Sequence, residues 1–359
     1  MLKRRSVLVG LGAAALSPSL SWADAQSPSF LSAARAVDGS YHLCGLSDGG
    51  AVLFSIPLPD RGHAAAAHPV RPEAVAFARR PGRFALIVDC ATGQEAHRLT
   101  PPPDRHFYGH GVFSADGSML FTTENDLDTL DGRIGLWDAA NGYARIGDMP
   151  SGGVGPHDIE RLPGTDTLVI ANGGIATHPE SGRTPLNLAT MRPNLAYLGP
   201  DGEMLEVVEL DTALRFNSIR HLDVRPDGLV AAGMQWNGSE AEHPPLILTH
   251  RMGETAQLLE APAQSQRKMI GYVGSITFQS GGAQVAVTSP RGGLMQVFDA
   301  ETGAFLSDIA LEDACGISTL SSGQSLITSG VGSIWGYDAG ALTQLGQTSW
   351  AWDNHLIAI

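Results

Sequence analysis

One short unit recurs along this chain of 359 residues. It is a brief β-type run, a glycine turn, a second run, a loop, and a third run that often ends on aspartate. Its clearest copy is Tyr108 to Tyr143, YGHGVFSADGSMLFTTENDLDTLDGRIGLWDAANGY. Gly111 to Ser114 stops at the turn Ala115-Asp116-Gly117-Ser118, Met119 to Thr123 follows, and Gly135 to Asp138 closes at Ala140-Asn141-Gly142. Such turn residues between short apolar runs signal hairpins. The sequences PHDIERLPG, RHLDVRPDG, GSITFQSGG and CGISTLSSG open further copies, each followed by a second run. The turn glycines fall at Gly82, Gly117, Gly164, Gly228, Gly282 and Gly323, so the separations are 35, 47, 64, 54 and 41. That is the period of a four-stranded propeller blade with loop insertions.

A unit of this kind cannot bury both faces alone, so the copies must stack into a ring. The expected fold is all-β: a seven-bladed β-propeller, YVTN/WD40-like or quinoprotein-dehydrogenase-like. Inner strands are expected to begin near Glu73, His110, His157, His221, Gly274, Cys315 and His355. The N-terminal hairpin (Tyr41 to Leu46, Ala51 to Pro57) lacks an inner strand, and the terminal run WAWDNHLIAI supplies one. That closure removes two sheet edges. On this reading Arg61 to Pro69 is an outer strand and Ala25 to Ala36 a flexible lead-in. The propeller spans 37–359 as a single domain, with a long insertion at 172–200. An irregular stretch of that length is uncommon in a compact domain and often functional.

The first 25 residues read as a processing signal. Lys3-Arg4-Arg5 precedes the apolar Ser6 to Leu16, and small residues around Ala23 and Ala25 offer cleavage sites. The paired arginines are those of a twin-arginine export signal; an ordinary secretory signal is the alternative. Either implies a periplasmic protein. No later stretch is apolar for the ~20 residues a membrane span needs. Formal charge is −14, with no sustained basic cluster after the leader, which argues against nucleic-acid backbone binding. Cys44, Cys90 and Cys315 are widely separated and form no C-x-x-C. They read as small buried hydrophobes.

His110, His157 and His221 each stand seven positions before a turn glycine, and so hold one register position at the start of an inner strand. His355 starts the terminal run. In a propeller this position rims the central channel. Val75, Ser275 and Gly316 occupy it in the other copies. Converging imidazoles suit a transition metal, iron or copper, as Lewis acid or redox centre. A polar rim binding a small ligand, or a structural set of hydrogen-bonded histidines, fits the same pattern. Glu124, Asn125, Asn172 and Gln235 follow second strands, Trp236 adjoins Gln235, and His178, Arg192 and Asn194 lie on the insertion. These eight are candidate ligand-binding residues. No phosphate-binding glycine loop, G-x-S-x-G, H-E-x-x-H or C-x-x-C-H is present.

GHGVFSADG with the following TEND, GRIGLWD, GPHDIE, ANGGIATHPESGRTPLNLATMRPNL and RHLDVRPDG resemble a bacterial family of exported propeller proteins of unknown function. Genes of that family commonly lie near imelysin-type periplasmic proteins of iron uptake. The resemblance implies a periplasmic setting, a role with iron or another metal, and an iron-uptake protein as partner; it carries no catalytic residues over. Three functions therefore stand open: a periplasmic metal- or small-ligand-binding propeller in iron acquisition, a metal-dependent oxidoreductase or lyase with its site at the channel rim, and a protein-interaction scaffold for an iron-uptake partner.

Overall fold

The computed structural model describes residues 20–80, 83–338 and 340–359. Seven antiparallel four-stranded sheets form a ring. The innermost strands are Ala351–Ala358, Gly62–Ala67, Arg105–Phe113, Pro156–Arg161, Asn217–Val224, Ser275–Gln279 and Ala314–Thr319. Each touches the next around the axis, and the seventh touches the first. The blades are numbered in this order. The ring closes as the sequence implies, with Ala351–Ala358 pairing antiparallel to Phe30–Arg35.

The local chemistry follows the repeat. Gly117, Gly164, Gly228, Gly282 and Gly323 all have φ between 72° and 92°, a region that residues with a Cβ avoid. Gly82 lies outside the described residues. The aspartates ending third strands cap the turns that follow. Asp89 accepts from the amides of Ala91 and Thr92, Asp138 from Asn141, and Asp299 from Glu301 and Thr302. Alternate side chains of neighbouring sheets pack between blades. Phe30, Cys44, Leu46, Leu326, Ile334 and Trp352, for example, join the seventh blade to the first. Cys44, Cys90 and Cys315 are buried and free.

The chain departs from expectation in three places. Phe30–Arg35 is not a flexible lead-in but the second strand of the closing blade, registered on both sides. Gly62–Ala67 is the innermost strand of the second blade rather than an outer one, and Glu73–Ala78 lies second. Its Ala-rich sequence is buried, because small side chains are what the crowded axis admits. Within the expected insertion at 172–200, Asn194–Leu198 is the regular third strand of the fourth blade. The excursion itself runs from 173 to 193. The export signal falls largely on residues 1–19, outside the described residues. Just beyond them, Trp22–Ala25 forms a 3-10 turn with Ala25 buried. The Trp22 indole donates to the His68 carbonyl. Among the described residues no helix is long and apolar enough to cross a membrane.

Candidate metal centre

Bulges in the inner strands aim the histidines at the axis. Gly62 pairs with Ala78 and Ala65 with Ala76, leaving His63 and Ala64 opposite Phe77 alone. Phe107 pairs with Glu124 and Gly111 with Thr122, so Tyr108, Gly109 and His110 crowd against Thr123. His157 is the extra residue between the pairs Pro156–Asn172 and Asp158–Ala171. Arg220 is the extra residue beside His221 in the fifth blade. Asp353, Asn354 and His355 bulge against the first blade's second strand. A bulge re-aims side chains and ends regular pairing, which is why bulges gather beside functional sites. The sixth blade's inner strand carries no histidine and is regular from Ser275 to Gln279. There the Ser275 hydroxyl accepts from the Ile317 amide instead. Gly316 holds the matching place in the seventh blade, where a Cβ would come within 2.8 Å of Leu356.

The result is a cluster of five buried imidazoles: His63, His110, His157, His221 and His355. Ring centroids of His63 and His355, and of His110 and His355, are 4.5 Å apart. His110 and His157 are 4.8 Å apart, and His221 lies 4.9 Å from both His157 and His355. The four histidines read from the register are thus brought together. His63 was missed because its turn, Pro69-Val70-Arg71-Pro72, has no glycine. Counting seven positions on from His63 reaches Val70 in that turn, so the spacing alone would have found it.

Four of these rings, His63, His157, His221 and His355, are held neutral. Burial, followed by the neighbouring His355, pushes His63 well below the ordinary imidazole value. Burial and the adjacent Arg220 do the same to His157, and burial with His355 to His221. His355 is pushed down to about 3, by burial and then by His110. His110 Nδ1 donates to Asp158 Oδ1 at 2.8 Å, which fixes its tautomer and leaves the Nε2 lone pair free. Burial alone would raise the Asp158 carboxyl; His110 and the Leu222 amide outweigh it and hold the group low. Among the described residues, His110 Nε2, His157 Nδ1, both nitrogens of His221 and His355 Nε2 are buried without a hydrogen-bond partner. Each orphan atom costs about 1–3 kcal/mol.

One ligand atom each from His63, His110 and His355 lies within 4.8 Å of the others. Nitrogens around a tetrahedral ion at about 2.0–2.1 Å stand roughly 3.4 Å apart, so the rings would swing inward to share one. His110, His221 and His355 also line a cavity of about 310 Å³ that opens toward the strand C-termini past Asp158, Glu160 and Asp223. Burial, then Asp158 and Asp223 beside it, raises the Glu160 carboxyl well above its usual range. The Asp223 carboxyl is also raised by burial, although it accepts from the Phe278 amide and the Thr277 hydroxyl. This is a carboxyl-lined funnel ending on imidazole nitrogens.

The model of a protein family of unknown function, DUF1513, matches residues 56–359. The chain belongs to the DUF1513 family. No curated protein sequence matches it. A similar solved structure is Kuenenia stuttgartiensis hydrazine synthase, with a TM-score of 0.62 at 12% identity. The match covers 86% of this chain and 89% of that one. At that identity the likeness speaks to the fold alone.

In this DUF1513 chain the other candidate residues are engaged elsewhere. Glu124 is fully buried in an ion pair with Arg145, at 2.7 and 2.9 Å. Asn125 donates to the Thr177 carbonyl and so ties down the excursion. Asn172 donates to the Ser151 carbonyl and to Asn194 Oδ1, while Asn194 donates to the Gly152 carbonyl. Gln235 donates to the Val273 carbonyl. The Trp236 indole donates to the Ser239 carbonyl and its ring stands on Phe216. His178 caps the 3-10 turn Pro179–Ser181, and the exposed Arg192 pairs with Glu209 at 2.7 Å.

Proposed function

We propose that the protein binds a transition metal, iron or copper, in the histidine cluster, and that it serves iron acquisition in the periplasm. The observation that carries the reading is five inward imidazoles from five blades, with buried ring nitrogens lacking partners. Neutral imidazole suits the later first-row metals. His63, His110 and His355 are the first ligands by distance, with His157 and His221 beside them. Asp158 orients His110, as an outer carboxylate does for a ligating imidazole. Asp158, whose carboxyl is held low, lines the cavity and favours the approach of cations over anions. A bound metal with an open position would supply Lewis-acid or redox chemistry there. The periplasmic setting and the link to iron rest on the export-type leader and on the family resemblance.

The test is elemental analysis by inductively coupled plasma mass spectrometry. Tag-free protein purified from the periplasm is compared with the combined variant His63→Gln, His110→Gln, His355→Gln. The expected result is a near-stoichiometric metal in the native protein and only trace metal in a variant that still folds by circular dichroism. Native protein without metal, even after reconstitution under reducing conditions, would sink the proposal.

A further inference from the structure

The opposite end of the ring axis, where the inner strands begin, carries the reverse charge. Arg220 enters there through the bulge of the fifth blade, next to His221. It is 8% exposed, and its Nε is buried without a partner. Among the described residues no ion pair or hydrogen bond reaches its guanidinium. The charged and titratable groups that act on it most strongly are Arg80, Arg183, Tyr108 and Tyr272, with His157 and His221 beside it. None of these is a carboxylate.

The half-buried Arg80 and the more exposed Arg183 also lack a carboxylate partner among the described residues. The Arg80 guanidinium lies 4.3 Å over the Tyr108 ring and donates to the Thr177 hydroxyl at 3.1 Å. Arg183, on the excursion of the fourth blade, donates from Nε to the Arg80 carbonyl at 3.2 Å. Burial, then the adjacent Arg79 and Arg80, pushes Arg183 down to about 10. The neighbouring arginines show what a satisfied pair looks like here. Arg61 and Arg79 each reach Asp353 at 2.7 Å.

A buried guanidinium with no counter-charge is strongly unfavourable, and like charges beside it add to the strain. The fork of N–H donors matches the two oxygens of a carboxylate or phosphate. Tyr272 adds a hydroxyl, already accepting from Asn354 at 3.0 Å and so free to donate. We propose that Arg80, Arg183 and Arg220 form a binding site for the carboxylate or phosphate group of a small molecule. The site lies on the strand-start side of the histidine cluster, opposite the carboxyl-lined funnel. It does not depend on the metal reading, because its donors are the arginines.

Sodium citrate and inorganic phosphate are the probes, titrated calorimetrically into metal-free full-length protein at constant ionic strength against chloride. Residual metal is measured in the same samples, so that loss of this site and loss of the metal site are separate results. Saturable binding of one or both probes is expected, and the tighter one names the class of group. Arg220→Met should weaken it on the order of tenfold or more, as loss of a charged hydrogen bond does. In chloride alone the same variant should melt no lower than the native protein, since it removes an unpaired buried charge. If Arg220→Met does not fold, Arg183→Met, on the excursion, carries the test and should also weaken binding. Arg192→Met, exposed and paired with Glu209, should bind normally. No saturable binding to native protein at millimolar probe overturns the proposal, and so does undiminished binding in the arginine variants.

Discussion

Acidification should destabilise the metal-free protein well above the range where carboxylates titrate. His63, His157, His221 and His355 are held neutral in the fold, with folded values below the ordinary imidazole value of 6.5. Above that value neither folded nor unfolded chain protonates them and they contribute nothing. Below it the unfolded chain takes up protons that the fold refuses, so stability falls as pH falls. Each imidazole loses about 1 kcal/mol between ~pH 6.5 and ~pH 5.5, roughly 4 kcal/mol for the four. Glu160 and Asp223 act in the opposite sense. Their folded carboxyls release protons at higher pH than those of the unfolded chain, and so return at most about 1.4 kcal/mol per pH unit each. The net loss is therefore between about 1 and 4 kcal/mol, against a total stability of ~5–15 kcal/mol. Asp158 and Asp353, held low by their partners, lose their contribution only at lower pH. Urea unfolding followed by tryptophan fluorescence at several pH values reads the slope. Glu160→Gln removes the larger offset and should steepen it, while added metal, which binds neutral imidazole, should raise stability without flattening the slope. A stability that stays level or rises on acidification in the Glu160→Gln variant would show that the imidazoles are not held neutral.

Further outcomes follow from individual contacts. Arg145→Met leaves the fully buried Glu124 without its bidentate partner and should lower stability by about 3 kcal/mol, read as a lower urea midpoint. Replacing both partners with apolar residues should recover much of that loss. Burial pushes the thiols of Cys44 and Cys90 up to about 12 and raises Cys315 as well. A disulfide reagent at neutral pH should therefore label the native protein only as fast as it unfolds, and rapid labelling of any one thiol would contradict this burial. His178→Ala and Arg192→Ala should leave metal content unchanged and stability within about 0.5 kcal/mol. A drop in metal content would place the excursion in the site.

The ring and most of the histidine cluster are legible in the sequence because both depend on short-range periodicity. A turn glycine at positive φ is a local demand, and seven positions is the length of an inner strand with its bulge. His110, His157 and His221 follow from that count, and His355 from the need to close the ring. His63 escaped because its turn uses prolines, and because Gly62–Ala67 carries small side chains where apolar bulk usually marks an inner strand. Glu124, Asn125 and Asn172 stood out as polar residues after second strands, but polarity does not reveal a partner. Arg145, Thr177 and Ser151, which engage them, lie 21, 52 and 21 residues away. Asp158 as the orienting group of His110, 48 positions back, is a relation between neighbouring blades that no single repeat contains.

The seal of the ring has a temporal consequence. Ala351–Ala358 closes the first blade and also delivers His355, whose carbonyl accepts from the Ser32 hydroxyl at 2.7 Å. The first strand and the final one thus meet at the histidine cluster. A ribosome extruding this chain releases His63, His110, His157 and His221 long before the fifth imidazole emerges. Until then those four are tethered by an open arc whose ends have not met. The five-imidazole cluster accordingly assembles only once residues 351–358 have been made, and a chain terminated before them lacks its closing member.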